Sequence, residues 1–417
     1  MSQEASAPPR RVTVIGAGIV GACAALYLQR DGHQVTLIDR RGPGGGASYG
    51  NAGGIVLSAC CPLAMPGVLR RVPGMLLDPH GPLVIRWRYL PRLAPWLLDL
   101  VRASRPARVE TISRALTALL THAETAWREV AGAAEANSLL RPAGWLKVYH
   151  TEAGFEATRP ERDLMARRGR PFEVLGADEL RQLEPALAPI FRHAIHQQEG
   201  MFVADPGRMV AALAARVAAD GGAITTAEVR DVDVSGARPR VLTDQGEHES
   251  DAVVLAAGAW SRHLAHRLGA RVRLDTERGY HLMLPPADPG LRRPTVWGEP
   301  SFALSPMEEG VRLASGVEFA GIEAPPDFAR IRGLLPMAKR MLPSLELEER
   351  SAWLGFRPST PDSLPVIGRS PYHPGVTMGY GHGHLGLTLG PVTGRLLADL
   401  VAGREPGIDL APFRTDR

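Results

Sequence analysis

The sequence has few cysteines, few aromatic residues and no block of like charge. Its 417 residues include three cysteines, Cys23, Cys60 and Cys61. An odd number with two of them adjacent is a poor disulfide framework and is typical of a reducing compartment. No His/Cys cluster has the spacing of metal ligands, so we expect no metal site. The net charge is only +4, and no Lys/Arg run is interleaved with aromatic residues, which argues against a nucleic-acid partner.

The first eleven residues are polar and rich in proline, and no apolar signal core precedes the first predicted strand. We also expect no membrane-spanning helix, and we therefore predict a cytoplasmic protein. Residues 83–101 leave two interpretations open. Trp87 and several leucines among arginines are typical of a basic amphipathic segment that lies on anionic lipid, peripheral to the inner face of the cell membrane. The alternative is a helix packed in the interior, and Pro91 and Pro95 would interrupt a long one.

The strongest local pattern is a strand, a glycine turn, a helix and a second strand at the start of the chain. Val12 to Ile15 is short and β-branched, Ile19 to Arg30 has helical spacing, and Gln34 to Ile38 forms the second strand. The turn matches G-x-G-x-x-G and consists of Gly16, Ala17, Gly18, Ile19, Val20 and Gly21. The glycines permit a tight turn, close approach of backbone to a pyrophosphate, and close helix–strand packing. This context predicts a dinucleotide site.

Asp39 ends the second strand at a distance suited to accept hydrogen bonds from an adenosine ribose. A carboxylate there would repel a 2′-phosphate. Arg40 and Arg41 follow and would contact either phosphate or solvent. The fingerprint does not distinguish FAD from NAD, but a second small-residue block, Gly50, Asn51, Ala52 and Gly53, favours FAD because it is placed to pass over the pyrophosphate and ribityl chain. Ser48, just before this block, is a further candidate contact. The alternative is an ordinary flexible loop.

Patterns along the rest of the chain predict an interleaved architecture. They indicate irregular loop over 41–54, helix over 108–136, strand over 145–150, helix over 206–220, short strands near Ile224 and Arg240, strand over 252–256, strands and one helix over 270–345, and a last helix over 391–402. The fold class is α/β, with a Rossmann-type FAD-binding domain and an interleaved α+β substrate domain built on an antiparallel sheet. We assign residues 10–75, 196–268 and 350–415 to the first domain, and residues 76–195 and 269–349 to the second.

Several segments together resemble the D-amino-acid oxidase superfamily, specifically its bacterial D-amino-acid dehydrogenase branch. They are VTVIGAGIVGACAALYL, ASYGNAGGI, VVLAAGAWS, ERGYHLML, GFRPSTPDSLPVIG and GYGHGHLGLTLGP, and they occur in the family's order from residue 12 to about residue 400. The resemblance implies non-covalent FAD and interleaved flavin and substrate domains.

The resemblance also implies further cofactor contacts. Val229 would face the adenine, with a plain core valine as the alternative. Ala257, Gly258 and Trp260 would follow a buried strand at the carboxyl edge of the sheet. The C-terminal glycine loop would lie at the negative N1 and O2 region of the reduced flavin, where backbone N–H groups and a helix start stabilise charge. The loop residues in question are Gly381, His382, Gly383, Gly386, Leu387 and Thr388.

Three residues are the candidates for catalysis. Arg357 precedes Pro358, which favours an extended backbone, and its guanidinium suits a substrate α-carboxylate, as in similar proteins. By resemblance, the hydroxyl of Tyr280 would approach that carboxylate or cover the flavin, and a core tyrosine is the alternative. His382 would act in the glycine loop, although His382 and His384 could instead be turn residues with no direct role.

The resemblance implies oxidative deamination of a D-amino acid or a cyclic imino acid. A hydride would pass from Cα to flavin N5, water would hydrolyse the imine to a keto acid, and the electrons would pass to a quinone or an electron-transfer protein. Three alternatives stay open: an oxygen-using amino or imino acid oxidase, a flavin-binding subunit of a larger complex, and a nicotinamide-dependent dehydrogenase.

Overall fold

The computed structural model describes residues 8–67, 81, 83–288 and 290–417, with positions 72, 74 and 76 alone between the first two ranges. Strands and helices are numbered along the chain. Within the described ranges the chain folds around a mostly parallel sheet and a large mixed sheet, and residues of both line one deep cavity. The predicted domain boundary between residues 75 and 76 lies outside the described residues.

The mostly parallel sheet has six strands in the part of the chain that the structure describes. They are β1 (Arg11–Ile15), β2 (Gln34–Asp39), β10 (Ala223–Thr226), β14 (Ala252–Leu255), β20 (Val366–Arg369) and β21 (Val376–Tyr380). Their order is β10-β2-β1-β14-β21-β20, and β20 pairs with β21 antiparallel. All four residues of β14 are buried because both faces of the sheet are covered.

Helices cover one face of this sheet, and a small sheet with one helix covers the other. The covering helices are α1 (Ile19–Arg30), α8 (Pro206–Ala219) and α12 (Gly386–Ala402). The opposite face carries β11 (Val229–Asp233), β12 (Arg240–Thr243), β13 (Gly246–Glu249) and α9 (Ser261–Arg267). A Cβ at Gly394 of α12 would come 2.7 Å from the backbone nitrogen of Ala24, so glycine lets α12 pack closely on α1.

The second sheet has nine strands within the described ranges. They are β4 (Leu83–Ile85), β6 (Trp145–Tyr149), β7 (Glu173–Gly176), β8 (His193–Gln197), β15 (Asp275–Leu284), β16 (Thr295–Trp297), β17 (Phe302–Met307), β18 (Gly310–Phe319) and β19 (Ser351–Ser359). Their order is β19-β15-β18-β17-β16-β6-β8-β7, with β4 beside β18. The pairings are antiparallel except β16–β6 and β18–β4. The short helices α10 (Ala329–Arg332) and α11 (Leu335–Met341) pack on the face away from the cavity.

The remaining elements connect these two layers. They are the three-stranded sheet of β3 (Gly54–Val56), β9 (Gly200–Val203) and β5 (Leu140–Arg141), and the helices α2 (Leu90–Ala103), α3 (Pro106–Leu120), α4 (Ala123–Ala133), α5 (Glu152–Glu156), α6 (Arg159–Arg167) and α7 (Ala177–Leu183). The predicted α/β fold class is confirmed, and the first βαβ unit matches its predicted bounds to within a residue.

The structure assigns some segments differently from the predicted domain division. Strand β19, predicted to lie with the nucleotide domain, pairs along its whole length with β15 of the second sheet. Helices α3 and α4, predicted to lie with the substrate domain, bury Leu116, Trp127 and neighbouring residues in the same core as α1 and α12. The helical pattern over 108–136 shows an amphipathic face, but it does not show which sheet that face covers.

Proline positions explain two further differences. Helix α2 continues through Pro95, although we expected the prolines to interrupt it. Helix α12 begins at Gly386, five residues before the predicted start at Pro391. Pro391 cannot donate to the carbonyl of Leu387 one turn earlier, and the indole Nε1–H of Trp127 donates to that oxygen instead at 3.0 Å.

The expectation about membrane spans overlooked an uncharged run. Residues 370–394 contain no Asp, Glu, Lys or Arg. The stretch Gly383–Ala402 is long and apolar enough to cross a membrane by length and composition, but it is mostly buried inside the protein. Its apolar side chains pack in the core with α1 and α4, which accounts for the composition.

Candidate active site

The turn between β1 and α1 presents backbone to the cavity. Gly16 has a φ of 103°, and a Cβ there would come 2.4 Å from the carbonyl oxygen of Ala256. A Cβ at Gly21 would come 1.8 Å from the carbonyl oxygen of Gly16. Gly18 caps α1 and lines the cavity. The helix start can therefore approach an anionic group with no side chain between them.

The side chains of Asp39 and Ser48 stabilise this turn by hydrogen bonds to its backbone. The Asp39 carboxylate accepts hydrogen bonds from the N–H groups of Ala17 (2.9 Å) and Arg41 (2.8 Å). The Ser48 hydroxyl accepts from the N–H of Ile19 at 2.9 Å. Asp39 also lines the cavity, and a carboxylate holding two N–H groups keeps lone pairs for further donors such as ribose hydroxyls.

Aromatic and basic side chains form one end of the cavity. The guanidinium carbon of Arg40 lies 4.0 Å from the ring centroid of Trp260, and that of Arg41 lies 5.4 Å away. Arg40 also lies 3.8 Å from the Glu228 carboxylate. Both arginines thus form part of a stacked wall. Small and apolar residues complete this end: Val229, Ala257 and Gly258.

The loop after β2 is held by its own hydrogen bonds. The Asn51 side chain donates to the carbonyl of Ser48 at 3.0 Å and accepts from the N–H of Gly53 at 2.9 Å. The hydroxyl of Ser305 donates to the carbonyl of Ala52 at 2.9 Å. These contacts fix the loop, which argues against the ordinary flexible loop that the sequence left open.

The start of α12 also contributes to the cavity wall. Gly383, Gly386, Leu387 and Thr388 line it. The Thr388 hydroxyl accepts a hydrogen bond from the N–H of Val56 at 3.1 Å, which ties α12 to β3. The first N–H groups of a helix have no partner within the helix, so this end also favours negative charge.

His382 lines the cavity, but its ring is held by a contact within the protein. It is 3% exposed, and its Nε2 lies 2.9 Å from the Thr393 hydroxyl within α12. Burial lowers the pKa of His382 to about 3, so the ring is neutral. Its ring anchors the glycine loop to α12, which favours the alternative of a turn residue. The catalytic role of His382 stays a prediction.

Arg357 lies on the cavity face of the second sheet, at the end of β19. Its side chain crosses β15 above Gly279 and donates to the carbonyl of Gly316 on β18 at 2.9 Å. Arg357 lines the cavity, and none of the ion pairs found among the described residues includes it. A guanidinium in this position retains N–H donors for a carboxylate ligand.

Tyr280 lies on the opposite face of the sheet. Arg357 pairs with Glu277 across β15 and β19, and residues three apart on a strand point to opposite faces. The Tyr280 hydroxyl donates to the Glu318 carboxylate at 2.5 Å and accepts from the N–H of Asp327 at 3.2 Å. These two partners occupy the hydroxyl, which argues against its contact with a substrate carboxylate. Tyr280 lines the cavity, so the predicted contact with the flavin stays a prediction.

These parts enclose one cavity of about 1430 Å³. Ligand pockets usually measure about 300–1,000 Å³, so this one has room for a large cofactor beside a small substrate. Three predicted contact residues lie behind its wall: Ala17, Gly21 and Gly381. Gly381 has a φ of 82° and packs on Thr360, so its contribution is to the course of the loop.

The sequence analysis did not predict that Glu277 and His384 lie together with Arg357. Glu277 is 1% exposed and directly opposite Arg357 in the strand register. His384 lines the cavity, with its Nδ1 3.6 Å from Glu277 Oε2. The available signal was the acid two residues before Gly279 in ERGYH, inside a segment predicted to be a strand.

The starts of α1 and α12 both line the cavity. Two helix starts suit a dinucleotide whose phosphates and reduced ring system both carry negative charge, and the fold and site therefore define a flavin-type oxidoreductase. The profile of the family described as FAD dependent oxidoreductase matches residues 11–400. The chain belongs to this family and is an enzyme that uses FAD, and the predicted resemblance is confirmed.

Individual relatives agree over nearly the whole chain. A D-amino-acid oxidase of Bradyrhizobium diazoefficiens is 39% identical over 98% of this chain and 99% of its own. A D-amino acid dehydrogenase of Rhizobium rhizogenes is 30% identical over 98% and 99%. The crystal structure of a glycine oxidase from Geobacillus kaustophilus has a TM-score of 0.76 and 24% identity, and the match covers 98% of this chain and 99% of that one.

Proposed function

We propose that the enzyme oxidatively deaminates a D-amino acid and passes the electrons to a quinone or a similar acceptor. The observation that carries the proposal is Arg357, a guanidinium on the cavity wall, outside every ion pair found among the described residues. Arg357 lines the same cavity as the start of α12, so its guanidinium would hold an α-carboxylate close to the helix start that favours the flavin ring.

Bound FAD would supply a two-electron acceptor, and the protein would supply binding and orientation. The α1 start, Asp39 and Ser48 would hold the phosphate and ribose end. The α12 start would stabilise negative charge on the ring system. Arg357 would place the substrate by its carboxylate, so that Cα lies beside the ring. Water then hydrolyses the product imine to a keto acid and ammonia.

The D preference is supported by the names of the curated relatives, a D-amino-acid oxidase and several D-amino acid dehydrogenases. Among structures of the same fold are glycine oxidase, iminodiacetate oxidase and L-proline dehydrogenase, each below 25% identity. A secondary amine or cyclic imino acid is therefore the second candidate substrate.

Anaerobic bleaching of the bound flavin tests this function directly. A panel of D- and L-amino acids with glycine and proline isomers should bleach the flavin most rapidly for a D-amino acid. Arg357→Ala should lower kcat/KM by about 100-fold or more, since it removes charge-assisted hydrogen bonds. The matched control is Arg181→Ala, at an exposed ion pair on α7. Unchanged kinetics of Arg357→Ala would contradict the anchoring role, and no bleaching by any amino acid would contradict the function.

The acceptor is a separate part of the proposal. Of the relatives that match over nearly their full length, one is named an oxidase and others are named dehydrogenases. The dehydrogenases support an acceptor other than oxygen. After anaerobic reduction, a quinone analogue should reoxidise the flavin faster than air-saturated buffer does. The opposite order would make the enzyme an oxidase.

We further propose that the protein is cytoplasmic and touches the membrane at its periphery, and the support is a basic and apolar surface over residues 87–105, which include α2. Trp87 and Leu98 are 71% and 59% exposed, and four arginines of the same segment are exposed as well: Arg88, Arg92, Arg102 and Arg105. Leu97 and Leu100 of the same helix line the cavity. Sedimentation with vesicles containing anionic lipid should fall for the double variant Trp87→Gln, Leu98→Gln. Tyr372→Gln, at another exposed aromatic residue, should bind as the unmodified protein does.

A further inference from the structure

Three ionisable side chains converge beside the start of α12. Glu277 on β15 and Arg357 on β19 are directly opposite in the strand register, so their side chains share the cavity face. His384 reaches the same place from the glycine loop, and its Nδ1 lies 3.6 Å from Glu277 Oε2. This separation is too long for a hydrogen bond but within ion-pair range.

Glu277 is a buried carboxylate whose hydrogen-bonding capacity is not used up. It is 1% exposed, and Oε2 has no hydrogen-bond partner in the part of the chain that the structure describes. Burial raises the pKa of Glu277, while the Arg357 charge and the Ser359 hydroxyl oppose this rise. Glu277 does not line the cavity, so it lies behind Arg357 and His384. Burial of an unpaired carboxylate oxygen costs free energy of desolvation. The burial of Glu277 Oε2 therefore indicates that a hydrogen-bond donor reaches it from the cavity side.

His384 is the member of this group that can touch a ligand. Its side chain is 46% exposed, and the residue lines the cavity. Desolvation, followed by the charge of Arg357, lowers the pKa of His384, so the free imidazole is neutral at neutral pH. The charged and titratable groups around it are Glu277 and Asp275 on β15, Arg357 on β19, and His382 two residues earlier in the loop.

An α-amino acid binds at neutral pH as an ammonium, and an ammonium nitrogen has no lone pair with which to form a C=N bond. The carboxylate and the amine are both attached to Cα, so a carboxylate held by Arg357 places the ammonium within a few ångströms of the guanidinium. His384 lines the same wall, and the Arg357 charge lowers its pKa. A substrate carboxylate paired with Arg357 would offset that charge and make the imidazole a better proton acceptor. A neutral imidazole backed by a carboxylate is the group in this position that can take the proton.

We infer that His384 accepts the ammonium proton of the bound amino acid and that Glu277 is the positioning residue that stabilises the resulting imidazolium. An N–H bond of the substrate breaks and an N–H bond forms at Nε2 of His384. The Cα–H bond would then break, and its hydrogen would leave with both electrons as a hydride, for which bound FAD would be the acceptor. The amine lone pair forms the C=N bond, which gives an iminium for hydrolysis. This inference rests on the proposed amino-acid oxidation.

The test uses holoenzyme and single-turnover anaerobic flavin reduction across pH. His384→Gln should reduce the flavin about 100-fold more slowly than wild type at pH 7, with the gap closing as pH rises, because the substrate then arrives already deprotonated. Glu277→Gln should lower the rate less and shift the acid limb of the profile to lower pH, since the imidazolium loses its partner. His266→Gln, at an exposed histidine on α9, should match wild type.

The number of protons exchanged with the buffer when the amino acid binds can be measured without turnover. Titration of pre-reduced holoenzyme with the amino acid, by calorimetry in two buffers of different ionisation enthalpy, reports the protons exchanged with solvent on binding. In the wild-type protein the ammonium proton should move to His384, so no proton should reach the buffer. In His384→Gln the substrate should lose that proton to the buffer when it binds as the neutral amine. Flavin content and thermal unfolding of each variant show whether it is folded.

The outcomes separate the two proposals. A His384→Gln profile parallel to wild type at every pH, with Arg357→Ala still impaired, would overturn the inference and leave amino-acid oxidation standing. Wild-type holoenzyme that no amino acid reduces would overturn both. An E277Q variant that is identical to wild type in its acid limb would remove Glu277 from the scheme.

Discussion

The guanidinium of Arg357 lies directly above the α-carbon of Gly279. A Cβ at position 279 would come 2.3 Å from both Nη1 and Nη2 of Arg357. The absent side chain on β15 is thus what allows the arginine of β19 to cross the sheet and reach the carbonyl of Gly316. The substrate anchor that we propose is set by three neighbouring strands together.

Gly279→Ala should displace the Arg357 side chain without removing it. We expect KM for the amino acid to rise about 10- to 100-fold, which corresponds to the loss of one or two charge-assisted hydrogen bonds, while FAD stays bound. Steady-state kinetics and the flavin spectrum measure both quantities. Gly132→Ala is the control, since its Cβ would meet nothing closer than 3.9 Å. An unchanged KM would show that Arg357 does not need this position.

Tyr280→Phe should affect folding more than catalysis. The lost hydroxyl bonds Glu318 on the far face of the sheet, so we expect kcat/KM within about threefold of wild type and a loss of roughly 1–3 kcal/mol in the free energy of unfolding. Urea denaturation and steady-state kinetics report the two effects. Tyr372→Phe, at a 67% exposed side chain, should change neither. A large loss of kcat/KM would restore the sequence-based role of Tyr280.

Gly16→Ala should abolish tight FAD binding. The new methyl would meet the Ala256 carbonyl at 2.4 Å, and the left-handed backbone of residue 16 costs a non-glycine residue about 1–2 kcal/mol as well. We expect the variant to purify largely without flavin and to bind added FAD at least about 100-fold more weakly, as followed by flavin fluorescence. Gly407→Ala meets no atom within 4 Å and should retain its flavin. Full flavin content in Gly16→Ala would show that FAD binding does not need the glycine turn at residue 16.

His382 should make the fold sensitive to acid. Its folded-state pKa is about 3 against 6.5 for a free side chain, because burial penalises the imidazolium. Between these values the unfolded chain binds the proton and the native protein does not, so stability falls as pH drops from about 6.5 towards 3. His382→Gln should weaken that dependence by up to one proton, or about 1.4 kcal/mol per pH unit, in urea titrations at pH 7 and pH 5. An unchanged slope would place the His382 ring in contact with solvent.

Much of the nucleotide site could be predicted because its signals are local. The glycine turn, the helix over Ile19–Arg30 and the acid at Asp39 lie within thirty residues and follow one strand–helix–strand pattern. The loop through Asn51 could also be placed, since it directly follows β2. Its hydrogen bonds could not, because Ser305 lies on a strand far along the chain.

The side chains around Arg357 were predicted less well. The face of a sheet on which a side chain lies and the course of a loop both depend on distant segments of the chain. Arg357 and Tyr280 both occur in strand patterns, and only the pairing of β15 with β19 shows that they face opposite sides. His382 and His384 are two residues apart in one loop, where Gly381 and Gly383 have positive φ. The turn buries the first ring against Thr393 and turns the second towards Glu277.

The sequence by itself determined the Rossmann-type unit, the family and the presence of an arginine suited to a carboxylate, since each depends on contiguous residues or on motif order. Only the tertiary structure decided which side chains accompany Arg357. Glu277 is opposite it through strand register, Gly279 makes room for it, and His384 reaches it from a loop more than a hundred residues after Glu277. Strand register and loop course are determined by packing between distant segments, and no single stretch of the chain encodes them.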